Sequence, residues 1–128
     1  MQLLLDTHSF LWFIAGSKRL SDTARDLIAD VNNPVFLSVA SLWEIAIKNS
    51  LGKLTLSRPF EVLIPEQLKH NEIEILPIEL AHLATLAKLP LHHRDPFDRL
   101  IIAQAMTEGL SLVGRDAAFG SYPVTMIW

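Results

Sequence analysis

The chain has 128 residues, half of them hydrophobic and a fifth charged, with a formal net charge of −3 and no cysteine. That size suits one globular domain over residues 1–128; there is no run of roughly 20 apolar residues to cross a membrane, no basic, cleavable leader and no thiol for a disulfide or thiolate metal site. The slight acidity excludes a generally basic nucleic-acid coat, so an anionic partner must be held by a local basic patch or through a metal, and a cytoplasmic location is expected.

Leu3-Leu4-Leu5 is an apolar run that ends abruptly at Asp6, and reads as a strand buried on both faces of a parallel sheet. Phe10 to Ala15 reads as a short helix stopped at Gly16. Ser21 reads as the N-cap of a helix whose Leu27, Ile28 and Val31 form one apolar face, and Asn32-Asn33-Pro34 as a turn. Val35 to Val39 is the second strand. Ser41 is expected to open a helix carrying Leu42, Trp43, Ile45, Ala46 and Ile47, closed near Gly52. Lys53 to Pro59 connects it to a helix over Phe60 to Leu68, interrupted at Pro65. Ile73 to Ile78 is the third strand, Leu80 to Leu89 a helix ended by Pro90, and Leu91 to Arg94 a loop. Asp95-Pro96 starts the clearest helix, which Gly109 stops. Leu110 to Val113 is the fourth strand, Gly114 to Ser121 a loop or short helical turn, and Val124 to Ile127 the last strand. Strands alternating with helices predict an α/β fold, a three-layer α/β/α sandwich with a mainly parallel central sheet.

The acids recur at strand ends. Asp6 follows the first strand, Glu44 lies one helical turn after the second, and Asp116 lies just after the fourth. Parallel strands joined by right-handed crossovers emerge at one sheet edge, so these three should share it. Asp98, at a helix N-terminus, can face the same edge. Clustered carboxylates repel one another, and a divalent cation relieves that repulsion. An oxygen-only donor set favours Mg²⁺ or Mn²⁺ over Zn²⁺. Each acid also has a plain structural role. Ser41-x-x-Glu44 fits a capping box. Asp95-Pro96-Phe97-Asp98 fits an N-cap, a Pro at N1 and an acid at N3, and Asp116 fits a turn. Asp6 is hardest to dismiss, because a charge that ends a buried strand is costly unless it caps, pairs or binds something.

Leu4-Leu5-Asp6-Thr7-His8 with Leu11-Trp12, Ser38 to Lys48 with Gly52-Lys53-Leu54, His93 to Ala105, and Leu112-Val113-Gly114-Arg115-Asp116 together carry a resemblance. The chain resembles the PIN-domain ribonucleases, in particular the VapC-like toxins of bacterial type II toxin–antitoxin systems. The resemblance implies a metal-dependent endoribonuclease toxin, neutralised by a cognate antitoxin and often a homodimer. It makes Asp6, Glu44, Asp98 and Asp116 the acidic metal and catalytic site, with Asp95 as a cap or outer acid. The chain departs from the family at Gly114, where Thr or Ser is common, and the departure is expected to bear on Asp116.

Substrate contacts are expected from Thr7, Lys48, Arg99 and Arg115, each with a plainer alternative. Thr7 could cap the first helix. Lys48 could form an i,i+4 ion pair with Glu44. Arg94, Arg99 and Arg115 flank acids, so each suits either a phosphate or a neighbouring carboxylate. His92-His93 is read as a solvated loop rather than a metal pair. Trp12, Phe13 and Trp43 are read as core unless exposed, when they would mark a partner surface. A haloacid-dehalogenase-like phosphatase would need an Asp at position 8, where this chain has His8. A zinc hydrolase lacks its helix motif. The remaining alternative is a catalytically inactive α/β module that binds RNA or a partner protein.

Overall fold

The structure, a computed structural model, describes residues 1–92 and 95–128. His93 and Arg94 lie outside the described residues, and with them the expectation that Arg94 meets phosphate. In chain order come β1 (Leu3–Leu5), α1 (Thr7–Ala15), α2 (Asp22–Ala29), β2 (Val35–Ser38), α3 (Val39–Ser50), α4 (Phe60–His70), β3 (Ile73–Leu76), α5 (Leu80–Lys88), α6 (Pro96–Glu108), β4 (Ser111–Val113), a 3₁₀ turn (Ala117–Ser121) and β5 (Met126–Ile127). The strands form one sheet in the order β3-β2-β1-β4-β5, and each described pairing is parallel.

Alternation along the strands builds two cores. Leu3 and Leu5 of β1, Leu37 of β2 and Ile73 of β3 pack with α1, α2 and α4 through Phe10, Ile28, Ile64 and Leu68. Leu4 and Leu112 face the other way, against Ile101, Ile102 and Ala105 of α6, with Leu86 of α5 at the margin. The three leucines of β1 are fully buried, and each such side chain contributes roughly 1.5–3 kcal/mol. α3 joins the layers, with Ile45 in the first core and Ala40 in the second. The expected three-layer α/β/α sandwich is present.

Several boundaries differ from the sequence reading, for local reasons. α1 begins at Thr7 rather than Phe10, because the Asp6 side chain caps it. α3 begins at Val39 rather than Ser41: the Ser38 hydroxyl accepts from the Ala40 N–H and turns strand into helix without a loop. Pro65 does not interrupt α4. It lies on the exposed face, where the carbonyl left without a donor can meet water. α2 stops at Ala29, so Val31 lies beyond the helix and is 84% exposed. Gly16 and Gly109 adopt left-handed conformations that end α1 and α6.

This topology singles out one place. From β1 the chain moves outward through β2 to β3, then returns to the other side of β1 at β4. The C-terminal end of β1 is therefore the switch point of the sheet, where open α/β sheets form a crevice. Asp6 occupies that end.

Candidate functional site

Asp6 is 6% exposed. Its Oδ1 accepts the Ser9 N–H at 2.7 Å, and its own N–H donates to the Val113 carbonyl on β4 at 3.0 Å. Ser9 also donates its hydroxyl to that carbonyl, tying α1 to β4. Burial pushes the Asp6 carboxyl above its ordinary value, and the nearby Asp116 charge adds to the rise. Hydrogen bonding from Ser9 and the charge of His8 oppose it. A raised pKa means that the folded chain keeps this proton to higher pH than the unfolded chain does. The contribution to stability is thus full in acid and lost as pH rises through the folded-state value. Asp6→Asn keeps the capping oxygen and removes the charge. In chelator, its melting midpoint at neutral pH is expected to lie above that of the wild type, with the gap closing in acid. A lower midpoint at neutral pH would contradict this.

Glu44 is also buried, at 4% exposure, and does not form the capping box that its spacing with Ser41 suggested. α3 begins two residues before Ser41, so Glu44 lies beyond the first turn and points across to α1. Its Oε1 accepts the Thr7 hydroxyl at 2.7 Å, while Thr7 Oγ1 lies 3.0 Å from Ser41 Oγ. Thr7 is therefore not the cap of α1 but a strut between α1 and α3, adjacent to Asp6. The other Glu44 oxygen takes the Lys48 ammonium at 2.6 Å. That hydrogen bond is the main reason the Lys48 pKa is raised, and the charges of Asp95 and Asp98 contribute. Lys48 thus pairs with the buried acid on α3 and lies within electrostatic reach of the acids at the start of α6.

The remaining expected residues are less enclosed. Asp95 caps α6, its Oδ1 accepting the N–H groups of Phe97 and Asp98, and Asp98 stands half-buried in the first turn. Asp116 is exposed and caps the 3₁₀ turn through Ala118, while lying within electrostatic reach of Asp6. Arg99 is tied to the Leu89 carbonyl at 3.1 Å. The exposed Arg115 guanidinium lies over the rings of Trp12 and Trp128, 5.2 and 5.7 Å from their centroids, and His8 stacks on Trp12. Exposed His92 packs edge-on against Tyr122, and the other half of the expected His92-His93 loop lies outside the described residues.

The sequence did not single out Ser9. Asp6-x-x-Ser9 has the spacing of a cap, a signal the helix start at Phe10 concealed. Gly114 was marked only as a departure from the family's usual Thr or Ser. A Cβ built there would stand 2.6 Å from Asp6 Oδ2 and 3.1 Å from its Cγ. The missing side chain bears on Asp6, whereas the sequence led us to expect an effect on Asp116.

The donor set is oxygen throughout, and two of its carboxylates are buried at the sheet edge; that chemistry fits a hard divalent cation. The acids stand as neighbours rather than a closed cage: among the described residues no three His, Cys, Asp or Glu side chains are arranged to hold a metal. A cavity of about 680 Å³ lies elsewhere, between α1 and the connector at residues 54–57.

The PIN domain family pattern matches residues 3–124. The ribonuclease VapC22 of Mycobacterium tuberculosis is 30% identical over 98% of this chain and 98% of its own length. The ribonuclease VapC16 of the same organism is 38% identical over 47% of this chain, and the match spans 43% of that relative. Among solved structures, VapBC2 from Rickettsia felis, bound to a DNA fragment from its promoter, matches with a TM-score of 0.74 at 19% identity, over 99% of this chain and 98% of that one. DNA-bound VapBC from Salmonella typhimurium matches with a TM-score of 0.73 at 15% identity, over 99% and 97%. These two likenesses concern the fold. No described helix is long and apolar enough to cross a membrane.

Proposed function

The chain belongs to the PIN domain family, and from that premise we propose that it is a divalent-metal-dependent endoribonuclease, the toxin of a toxin–antitoxin pair. One observation carries the site assignment: two buried carboxylates, Asp6 and Glu44, flank Thr7 at the switch point of the sheet. Asp98 and Asp116 complete the set from α6 and the segment after β4. In this reading residues 1–128 form a single domain that works in the cytoplasm, pairs with a second copy and is neutralised by an antitoxin. The cation is Mg²⁺ or Mn²⁺, as hard oxygen donors favour.

The chain's own residues prepare the edge. Ser9 fixes one oxygen of Asp6 and leaves Oδ2 toward Gly114. Thr7 fixes one oxygen of Glu44, and Lys48 balances the other. A bound divalent cation would supply Lewis acidity, making a water more acidic and stabilising charge on the leaving oxygen. Lys48 stands where it can exchange Glu44 for a substrate phosphate. Arg115, braced by two indoles, offers a second cation to the RNA backbone, and Thr7 a hydroxyl. Arg99, held by Leu89, steadies the start of α6 and is the weaker candidate for phosphate.

Cleavage of RNA by the purified chain tests this reading. With Mg²⁺ or Mn²⁺ it should yield 5′-phosphate and 3′-hydroxyl ends, and chelator should stop it. Cleavage that chelator leaves unchanged would reduce the carboxylates to caps and ion-pair partners.

A further inference from the structure

Ser38 at the end of β2, His82 on α5 and Gln104 on α6 are polar side chains that are fully buried. Their hydrogen bonds form one directed chain. The Pro77 carbonyl can only accept, so the Gln104 amide nitrogen faces it at 3.2 Å, and that nitrogen lies 3.4 Å from His82 Nδ1. The amide oxygen accepts from the Ser38 hydroxyl, whose own oxygen accepts the Ala40 N–H at 3.0 Å and starts α3. His82 Nδ1 takes the Glu79 N–H at 3.0 Å, which leaves the ring proton on Nε2 for Glu108 Oε1 at 2.8 Å. The middle of α6 is thereby tied to the start of α3. Further along, Trp43 of α3 packs against Phe97 of α6, with ring centroids 5.3 Å apart. The chain runs forward from Ser38 to Trp43 and backward from Gln104 to Phe97, so the two helices are antiparallel here. Glu44 lies six residues after Ser38, and Asp98 six residues before Gln104. With a helical rise of about 1.5 Å per residue, both acids stand about 9 Å beyond the Ser38–Gln104 hydrogen bond, at the same level along the pair. Lys48 shows them to be neighbours, since it is bonded to Glu44 and within charge reach of Asp98.

We infer that Gln104 is a positioning residue of the acidic edge: by holding Ser38 it fixes how far α6 slides along α3, and with that the level of Asp98 relative to Glu44. The consequence for a cation rests on the nuclease reading; the lock between the helices does not. Apolar contact between helices is non-directional and tolerates a small slide. A buried hydrogen bond does not, because moving α6 would strip Ser38 and Gln104 of partners where no water can replace them. Gln104 is also held from behind by Pro77 and His82, so its amide cannot simply follow a shifted Ser38.

The test uses two readings on the full chain. The sequence has no cysteine, so nitroxide labels on Ser50→Cys of α3 and Thr107→Cys of α6, both exposed positions, report the slide as a distance in metal-free protein. Calorimetry with Mn²⁺ on the unlabelled protein reports the acids. Gln104→Met keeps the length of the side chain and removes both ends of the amide. It is expected to shift the label distance by about 1–2 Å and to lower Mn²⁺ affinity roughly two- to thirtyfold. Leu68→Ala, in α4 and the other core, should lower the melting midpoint and leave both readings unchanged, because lost stability alone does not move them in folded protein. Ser38→Ala removes the other half of the lock. It should reproduce the shift, add nothing further when combined with Gln104→Met, and carry the test if Gln104→Met does not fold. An unchanged distance overturns the proposal. So does a shifted distance with wild-type Mn²⁺ affinity, or an equal fall in affinity in Leu68→Ala. A wild type that binds no Mn²⁺, with the distance still shifting in the variants, sinks the metal-dependent reading and spares the lock.

Discussion

Asp6→Asn is expected to slow RNA cleavage by at least about a hundredfold, the scale on which a preorganised charged group contributes to catalysis, while the fold survives. The side chain does two separable jobs. Its Oδ1 caps α1 through Ser9, a task that Asn performs as well. Its negative charge is what a divalent cation would need, and only the charge is lost. Circular dichroism and melting report on the first job, and cleavage on the second. A well-folded Asp6→Asn protein with full activity would remove Asp6 from the site. Asp98→Asn should behave in the same way. Asp95→Asn should cost little, because Asp95 serves α6 as its cap.

Gly114→Ala is expected to lower cleavage on the order of ten- to a hundredfold, as a misplaced catalytic group does, and to cost about 1–3 kcal/mol of stability through overpacking. The backbone at this position has little room to retreat. Gly114 donates its N–H to the Ile127 carbonyl at 3.1 Å, and the preceding Val113 carbonyl receives the Asp6 N–H and the Ser9 hydroxyl. The new methyl group must therefore displace the Asp6 carboxylate at Oδ2, against the hold of the Ser9 N–H on Oδ1. Because the effect runs through Asp6, adding Gly114→Ala to Asp6→Asn should cost almost no further activity. Additive losses would show that the methyl group acts elsewhere.

The fold was legible because the pattern is strong where burial is complete. Leu3-Leu4-Leu5 reads as a two-sided strand, and Asp95-Pro96 with Gly109 frames α6 at both ends. Boundaries slipped where side chains close gaps without a loop. Ser38 starts α3 directly from β2, and Asp6 starts α1 directly from β1. Both are short polar residues whose capping role depends on backbone direction, which composition does not reveal. The shared edge of the acids followed from parallel topology alone. The partners did not, since the Thr7–Glu44 hydrogen bond spans 37 positions and the closeness of Gly114 to Asp6 spans 108. The first is set by the register of β1 against β2 and the second by that of β1 against β4. Glu44 shows the hazard of local spacing, since its capping-box pattern was intact while its side chain reached another helix.

The most direct test is a calorimetric titration of Mg²⁺ or Mn²⁺ into the wild type and Asp6→Asn, with RNA cleavage assayed on the same samples. The acidic-edge nuclease predicts that metal binds the wild type, that binding is lost in the variant, and that cleavage follows binding. Absence of metal binding by either protein, even with RNA present, would contradict it and leave these carboxylates as caps and ion-pair partners in an α/β interaction module.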